Sequence, residues 1–241
     1  MKNDIRLILA LVLVAPIAQA QGGFQNLGFE AAHLTPIPPG QFGDRVPIDQ
    51  ALPGWNGFVG TQQVTSVFQN NLGLGGANIS ILGPNWPLDE IIDGRYTVLL
   101  QAGAADVLIP SYVDTSISQT GLIPSGTESI QLKVFGADVS VSFAGKDIPI
   151  VALLVANNYT LYGGDVSQFA GQSGQLTLST RTVPNTGFHN AFLDSILFSA
   201  QVVPEPSVLG VLAIGLSLLG WRFFSNRRVK ERIARQRRVS S

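Results

Sequence analysis

His33 and His189 are the two imidazoles of this 241-residue chain, and cysteine is absent. Thiol nucleophiles, thiolate metal sites and disulfides are therefore excluded, and imidazole acid–base chemistry has two candidates distant in sequence. No nucleophile elbow, Walker loop, dinucleotide fingerprint or His-Glu-x-x-His pattern occurs. Gly73-Leu74-Gly75-Gly76 lacks the lysine and the strand-to-helix setting of a phosphate cradle and reads as a turn. The carboxylates could supply a glycosidase pair, but their spacing selects none. The expectation is a protein without catalysis. Binding chemistry has better material. Trp55, Trp86, Tyr112, Tyr159 and Tyr162 could present flat aromatic faces to sugars, with Asn157 and Asn158 beside the last pair as hydrogen-bonding partners. The same residues also suit structural roles: Trp55, in Pro53-Gly54-Trp55, can plug one end of a sandwich, and the tyrosines can be ordinary strand residues.

The elements that must position these side chains are short and alternating. Ile130, Leu132 and Val134 share one face while Gln131 and Lys133 share the other; Val139, Val141 and Phe143 alternate with Ser140 and Ser142. Further strands are expected near 64–69, 78–82, 95–101, 113–119, 148–156, 174–180 and 191–200. Gly83-Pro84-Asn85, Asp93-Gly94, Pro124-Ser125-Gly126 and Gly163-Gly164-Asp165 read as the turns between them. Eight or nine strands so spaced predict an all-β sandwich. The segment 191–200 is apolar on both parities and reads as a central, covered strand. Asp194 shares its parity with Phe192, Ile196 and Phe198. A carboxylate aimed at a core must be paired, hydrogen-bonded or metal-bound.

Charge divides the chain into three zones. Residues 1–20 carry +1, residues 21–201 carry five basic against thirteen acidic side chains for −8, and residues 202–241 carry eight basic against two acidic for +6, which together give the net −1. The acidic middle is repelled by phosphate backbones, so no nucleic-acid partner is expected. At the N-terminus Lys2 and Arg6 precede the apolar run from Leu7 to Ile17, and Ala18 and Ala20 offer small residues at the positions signal peptidase reads. Residues 1–20 are thus a secretory signal with cleavage before Gln21. At the other end an apolar run from Val208 to Trp221 follows Val203-Pro204-Glu205-Pro206-Ser207. As a helix, 207–224 would span about 27 Å, close to the roughly 30 Å of a bilayer's hydrocarbon. Arg222 can snorkel at its end, and Arg227, Arg228 and Lys230 lie in the basic tail 225–241 that the positive-inside rule keeps in the cytoplasm.

The tripeptide Pro204-Glu205-Pro206, followed by a short Gly-containing span and a basic end, resembles the PEP-CTERM sorting signal of Gram-negative bacteria, a region also labelled the C-terminal domain of ice-binding proteins. The resemblance implies recognition by an exosortase that removes the helix and tail, and association with biofilm and exopolysaccharide systems. Two prolines keep the segment extended and without backbone donors, which suits a substrate. The tail after Phe224 is longer than the family pattern. A second resemblance covers the middle: Asn26-Leu27-Gly28-Phe29-Glu30, Leu52-Pro53-Gly54-Trp55 and Phe192-Leu193-Asp194-Ser195-Ile196 are similar to the first strand, following loop and last strand of galactose-binding-like jelly rolls. In related modules a glutamate and an aspartate at those places help hold a structural calcium, which implies Glu30 and Asp194 here; on their own chemistry these residues better suit a hydrogen-bonded Asp194 and an exposed Glu30.

Three regions follow: a signal peptide (1–20), an exported jelly-roll domain (21–201) and a sorting signal (202–241), comprising the motif 203–207, a single transmembrane helix and the basic tail. The expected partners are signal peptidase, exosortase, the inner membrane and exopolysaccharide. The expected role is structural or adhesive, in the cell envelope or extracellular matrix; a carbohydrate-binding module is the first alternative and an envelope glycan hydrolase the second.

Overall fold

The computed structural model describes residues 23–204, apart from Gly75, Asp89, 107–108 and 183–188. Ala18, Ala20, Gln21, Glu205, Pro206, Ser207, Arg222, Arg227, Arg228, Lys230 and the expected span 207–224 lie outside the described residues. Among the described residues no helix is long and apolar enough to cross a membrane.

The chain runs through β1 (Arg45–Pro47), the single-turn α1 (Ile48–Ala51), β2 (Asn56–Val59), β3 (Gln62–Val64), β4 (Ser66–Gln69), β5 (Asn78–Leu82), β6 (Thr97–Asp106), β7 (Ile109–Val113) and β8 (Thr115–Leu122). It continues with β9 (Ser129–Gly136), β10 (Val139–Phe143), β11 (Lys146–Ile148), β12 (Ile150–Val155), β13 (Thr160–Asp165), β14 (Ser173–Thr180) and β15 (His189–Ser199). One sheet has the order β1-β4-β5-β6-β15-β9-β13-β12, with β7 also paired to β6; the other has the order β11-β10-β14-β8-β2-β3. Neighbours are antiparallel except β4 and β5. Both sheets send alternate residues into one core, where Ile130, Leu132 and Val134 of β9 join Val141, Phe143, Leu176 and Leu178. Each such side chain contributes roughly 1.5–3 kcal/mol by leaving water. The molecule is a β-sandwich.

The described strands exceed the expected eight or nine in two ways: β1, β2 and β13 lie where no strand was expected, and three expected segments are split. Three segments that read as single strands are each cut by one residue at which the chain passes from one sheet to the other. Thr65 separates β3 from β4, Asp114 separates β7 from β8, and Pro149 separates β11 from β12. Pro149 has no N–H to give a ladder. Asp114 instead fixes its corner, its carbonyl accepting from Gly60 N at 2.8 Å and its Oδ1 from Thr182 N at 2.8 Å. No glycine and no Asn-Gly pair marks any of the three corners, so each segment reads as one strand.

Gly163-Gly164-Asp165 is likewise strand and not turn. The glycines lie inside β13 because their neighbours leave no room for a Cβ: one built on Gly163 would sit 2.7 Å from Leu153 Cδ1, and one on Gly164 would sit 2.6 Å from Ile148 Cγ2. β15 is central, between β6 and β9, as the two-sided apolar pattern indicates.

Candidate functional site

β15 carries a bulge that decides where its side chains go. Its register against β9 slips between Asp194 and Leu197, and Ser195 takes φ 50°. Ala191, Leu193 and Ile196 face the inter-sheet core, whereas Phe192 joins Leu82, Trp86, Ile92 and Leu99 in a second cluster on the sheet's outer side. The shared parity expected for Asp194, Phe192, Ile196 and Phe198 is therefore broken. Asp194 goes with Phe192, and Ile196 and Phe198 go with the main core.

Asp194 is 1% exposed. Its Oδ2 accepts from Thr97 Oγ1 at 2.8 Å and Asp93 N at 3.1 Å, and its Oδ1 from Ser195 N at 2.7 Å. Burial drives its pKa up from 3.8 to about 6, against the opposing effect of these three donors and with a smaller push from the Asp93 charge. Glu30 reaches the same loop from the other end of the chain. Its Oε1 accepts from Arg95 N at 2.8 Å and Tyr96 N at 3.1 Å, and a side chain on Gly94, held at φ +57°, would collide with the Glu30 carboxylate. With Ile92 N on Thr97 Oγ1 and Gly94 N on Asp93 Oδ1, every backbone N–H from Ile92 to Tyr96 finds a side-chain oxygen. Lys133 closes the arrangement from β9, with Nζ 2.5 Å from Asp93 Oδ2, which also accepts from Ser195 Oγ at 3.0 Å. The Lys133 hydrogen bond is the main reason that Asp93 is held below the ordinary aspartate pKa.

This donor set does not fit the calcium implied by the jelly-roll resemblance. A calcium ion takes 6–8 oxygen ligands, and here N–H and O–H groups point at the oxygens it would need. Among the described residues no three His, Asp or Glu side chains gather as a metal site. As they stand, Asp194 and Glu30 form a clamp on the loop 92–96.

The three sequence patches that carried the resemblance do come together. Trp55 Nε1 donates to Asn26 O at 3.1 Å, Asn26 Nδ2 donates to Pro53 O at 3.3 Å, and Ile196 N donates to Leu27 O at 2.9 Å. Phe29 and Trp55 pack with ring centroids 5.8 Å apart, and both are buried. Trp55 is thus the plug and offers no platform to a sugar. Trp86 is also buried: Phe42 meets it edge-on, its Nε1 donates to Glu90, and only its rim reaches a depression of about 330 Å³ shared with Asn85, Ile91 and Arg95. Both tryptophans are therefore withdrawn as sugar platforms.

Tyr159 and Tyr162 behave differently. They line one open groove of about 310 Å³ together with Asn157, Thr160, Val134 and Phe135. Tyr162 is set by β13, opposite Leu132 of β9 and Ala152 of β12; Tyr159 stands just before the strand, against the outer cluster, with Lys133 Nζ 5.1 Å from its ring centre. Phe135, which the sequence did not single out, is 42% exposed and packs against Phe192. Tyr112 lies apart on β7. Nothing in the spacing marked Thr97, Asp93, Lys133 or Ser195 either, since they meet only through the pairing of β15 with β9 and β6 and the loop above it.

Fold and site together define a two-sheet β-sandwich with a side-chain-clamped loop and one aromatic-lined groove. No family model and no curated protein matches the chain. Among solved structures it is similar to TmCBM61 in complex with β-1,4-galactotriose, at 13% identity and a TM-score of 0.39, over 74% of this chain and 99% of that one.

Proposed function

We propose that the chain is an exported, non-catalytic jelly-roll protein that binds a neutral glycan in the Tyr159–Tyr162 groove and acts as an adhesive component of the envelope or exopolysaccharide matrix. The observation that carries the binding is convergence: two aromatic residues chosen from sequence as sugar platforms line one groove, with Asn157 and Thr160 beside them. Aromatic faces take the C–H faces of a sugar, and the amide and hydroxyl take its hydroxyls. The −8 charge of residues 21–201 disfavours polyanions and so favours an uncharged polymer. The jelly-roll reading is supported by the contact of the first, second and last patches through Asn26, Trp55 and Ile196.

Equilibrium binding to the producer's own exopolysaccharide tests the groove. Saturable binding is expected, weakened about 3- to 10-fold by Tyr162→Ala and by Tyr159→Ala and left unchanged by Tyr112→Ala. Saturable binding that ignores both groove substitutions would place the ligand elsewhere; no binding would leave a purely structural role. Release of shortened glycan would instead support the hydrolase.

The routing belongs to the same proposal. Signal peptidase removes 1–20, the span 207–224 holds the protein in the inner membrane, and exosortase acts at the Pro204-Glu205-Pro206 motif. Intact mass of the protein from its native cells is expected to show a mature form without helix and tail, and Glu205→Ala to retain both. Equal retention in wild type and variant would reduce the tail to an anchor.

A further inference from the structure

The end of the described chain does not simply trail away from the sandwich. After β15 it folds back: Glu128 N donates to Ser199 O at 2.8 Å and Ser129 Oγ donates to Gln201 O at 2.7 Å. Val203, first residue of the sorting motif, then lies on the outer face of the sheet over Gly163, where a Cβ would stand 2.9 Å from Val203 Cγ2. Gly163 belongs to a row that crosses four strands, Leu197 on β15, Gln131 on β9, Gly163 on β13 and Val151 on β12. The next row on this side contains Lys133, Leu161 and Leu154. Around the exit point, Leu197 is 55% exposed, Leu154 53% and Val202 73%. Lys133, the cation of these rows, is tied to Asp93. An apolar surface of this kind on an otherwise acidic domain calls for a cover.

The chain itself supplies the distance. Only Pro204, Glu205, Pro206 and Ser207 lie between Val203 and the apolar run that begins at Val208. Five residue steps reach at most about 18 Å when fully extended. If the run spans the bilayer, as the routing proposal above requires, the Gly163 seat must lie within that reach of the lipid. We infer that the outer face of the β15–β9–β13–β12 end of the sheet, through Leu197, Leu154 and Val202, rests on the outer surface of the bilayer before the span is removed. The contact holds the domain in one orientation and presents Glu205 at the membrane surface, where a membrane-embedded processing enzyme can reach it. Leucine and valine side chains gain by entering the headgroup boundary, and a short tether keeps them there. A second copy is the competing cover, but the tether bears on the bilayer alone.

The full-length chain in vesicles of phosphatidylethanolamine and phosphatidylglycerol tests this. Because the sequence has no cysteine, Leu154→Cys, Leu197→Cys and, on β3 of the opposite sheet, Gln63→Cys each accept one nitroxide label. Flotation with the vesicles is scored first, then accessibility of each label to lipid-soluble oxygen and to an aqueous nickel complex. The expected result is an oxygen-to-nickel ratio several-fold higher at positions 154 and 197 than at 63. Equal, water-like ratios in protein that floats would overturn the docked face while leaving the anchor intact. Failure to float would overturn both. Label broadening at 154 or 197 that disappears on dilution with unlabelled protein would assign the face to contact between copies and overturn the membrane assignment.

Discussion

Replacing Asp194 with alanine is expected to destabilise the sandwich by about 3 kcal/mol, measured by urea unfolding at pH 7. The substitution removes the acceptor for Asp93 N, Ser195 N and Thr97 Oγ1 together, and an orphaned buried donor costs about 1–3 kcal/mol. The Thr97 hydroxyl can turn to another partner and the Asp93 amide can take a water, so the three losses do not sum to their maximum. The acid response gives a second, independent reading of the same group. Its carboxyl titrates at about 6 in the folded chain against 3.8 ordinarily, so between those values the folded state holds a proton that the unfolded chain has released. The stability this adds is fully present below about pH 4 and is lost as pH rises through 6, with a ceiling of about 3 kcal/mol. Asp93 works in the other direction: its lowered pKa, due first to Lys133, adds stability above about pH 4 that is lost as pH falls further. The two windows are separate. Wild type minus Asp194→Asn, followed from pH 4 to pH 7, should therefore fall steadily toward high pH. A flat difference would show that Asp194 is ionised in both states across this range and that its burial is better compensated than three hydrogen bonds suggest.

Trp55→Ala is expected to cost about 3–5 kcal/mol, about 10 °C or more in Tm for a domain of this size. The indole is buried beside Phe29 and its Nε1 ties Asn26 O to the loop that follows α1. Its loss opens a cavity between the N-terminal segment and the sandwich, where Asn26 and Phe29 already sit at positive φ of 50° and 61°. Those strained conformations persist only while packing over-determines them, so the segment 23–31 should also become sensitive to protease in the variant. Trp55→Phe keeps most of the volume and loses only the hydrogen bond, so about 1 kcal/mol is expected. If alanine and phenylalanine are equally mild, Trp55 is not the plug that its burial implies, and the end of the sandwich is closed by other residues.

Alternation alone was enough to place Ile130, Leu132 and Val134, and Val139, Val141 and Phe143, on core-facing strands, because a two-residue period is a local property of extended chain. The same argument made 191–200 a central strand and picked out Asp194 as a carboxylate that had to be satisfied. Burial, a central position and three hydrogen bonds followed. The routing proposed for the two ends of the chain rests on sequence alone, on runs of charge, apolar residues and prolines.

What local pattern could not contain is a change that carries no turn signal or that resets the period. At Thr65, Asp114 and Pro149 the chain changes sheets with no glycine to mark the corner, and at Ser195 one extra residue turns the following side chains over. The first depends on where the partner strand lies, the second on the register against β9; neither is a property of the local segment. For the same reason the loop clamp, in which Glu30 and Asp194 reach the loop around Asp93 and Thr97 from more than sixty positions away on either side, had no signature, and five candidate platforms that look alike in sequence divided into two buried tryptophans, two groove-lining tyrosines and Tyr112, exposed on β7. Residue type and spacing set what each side chain can do chemically. Which of them reach solvent, and in whose company, was decided only when both sheets closed over one core.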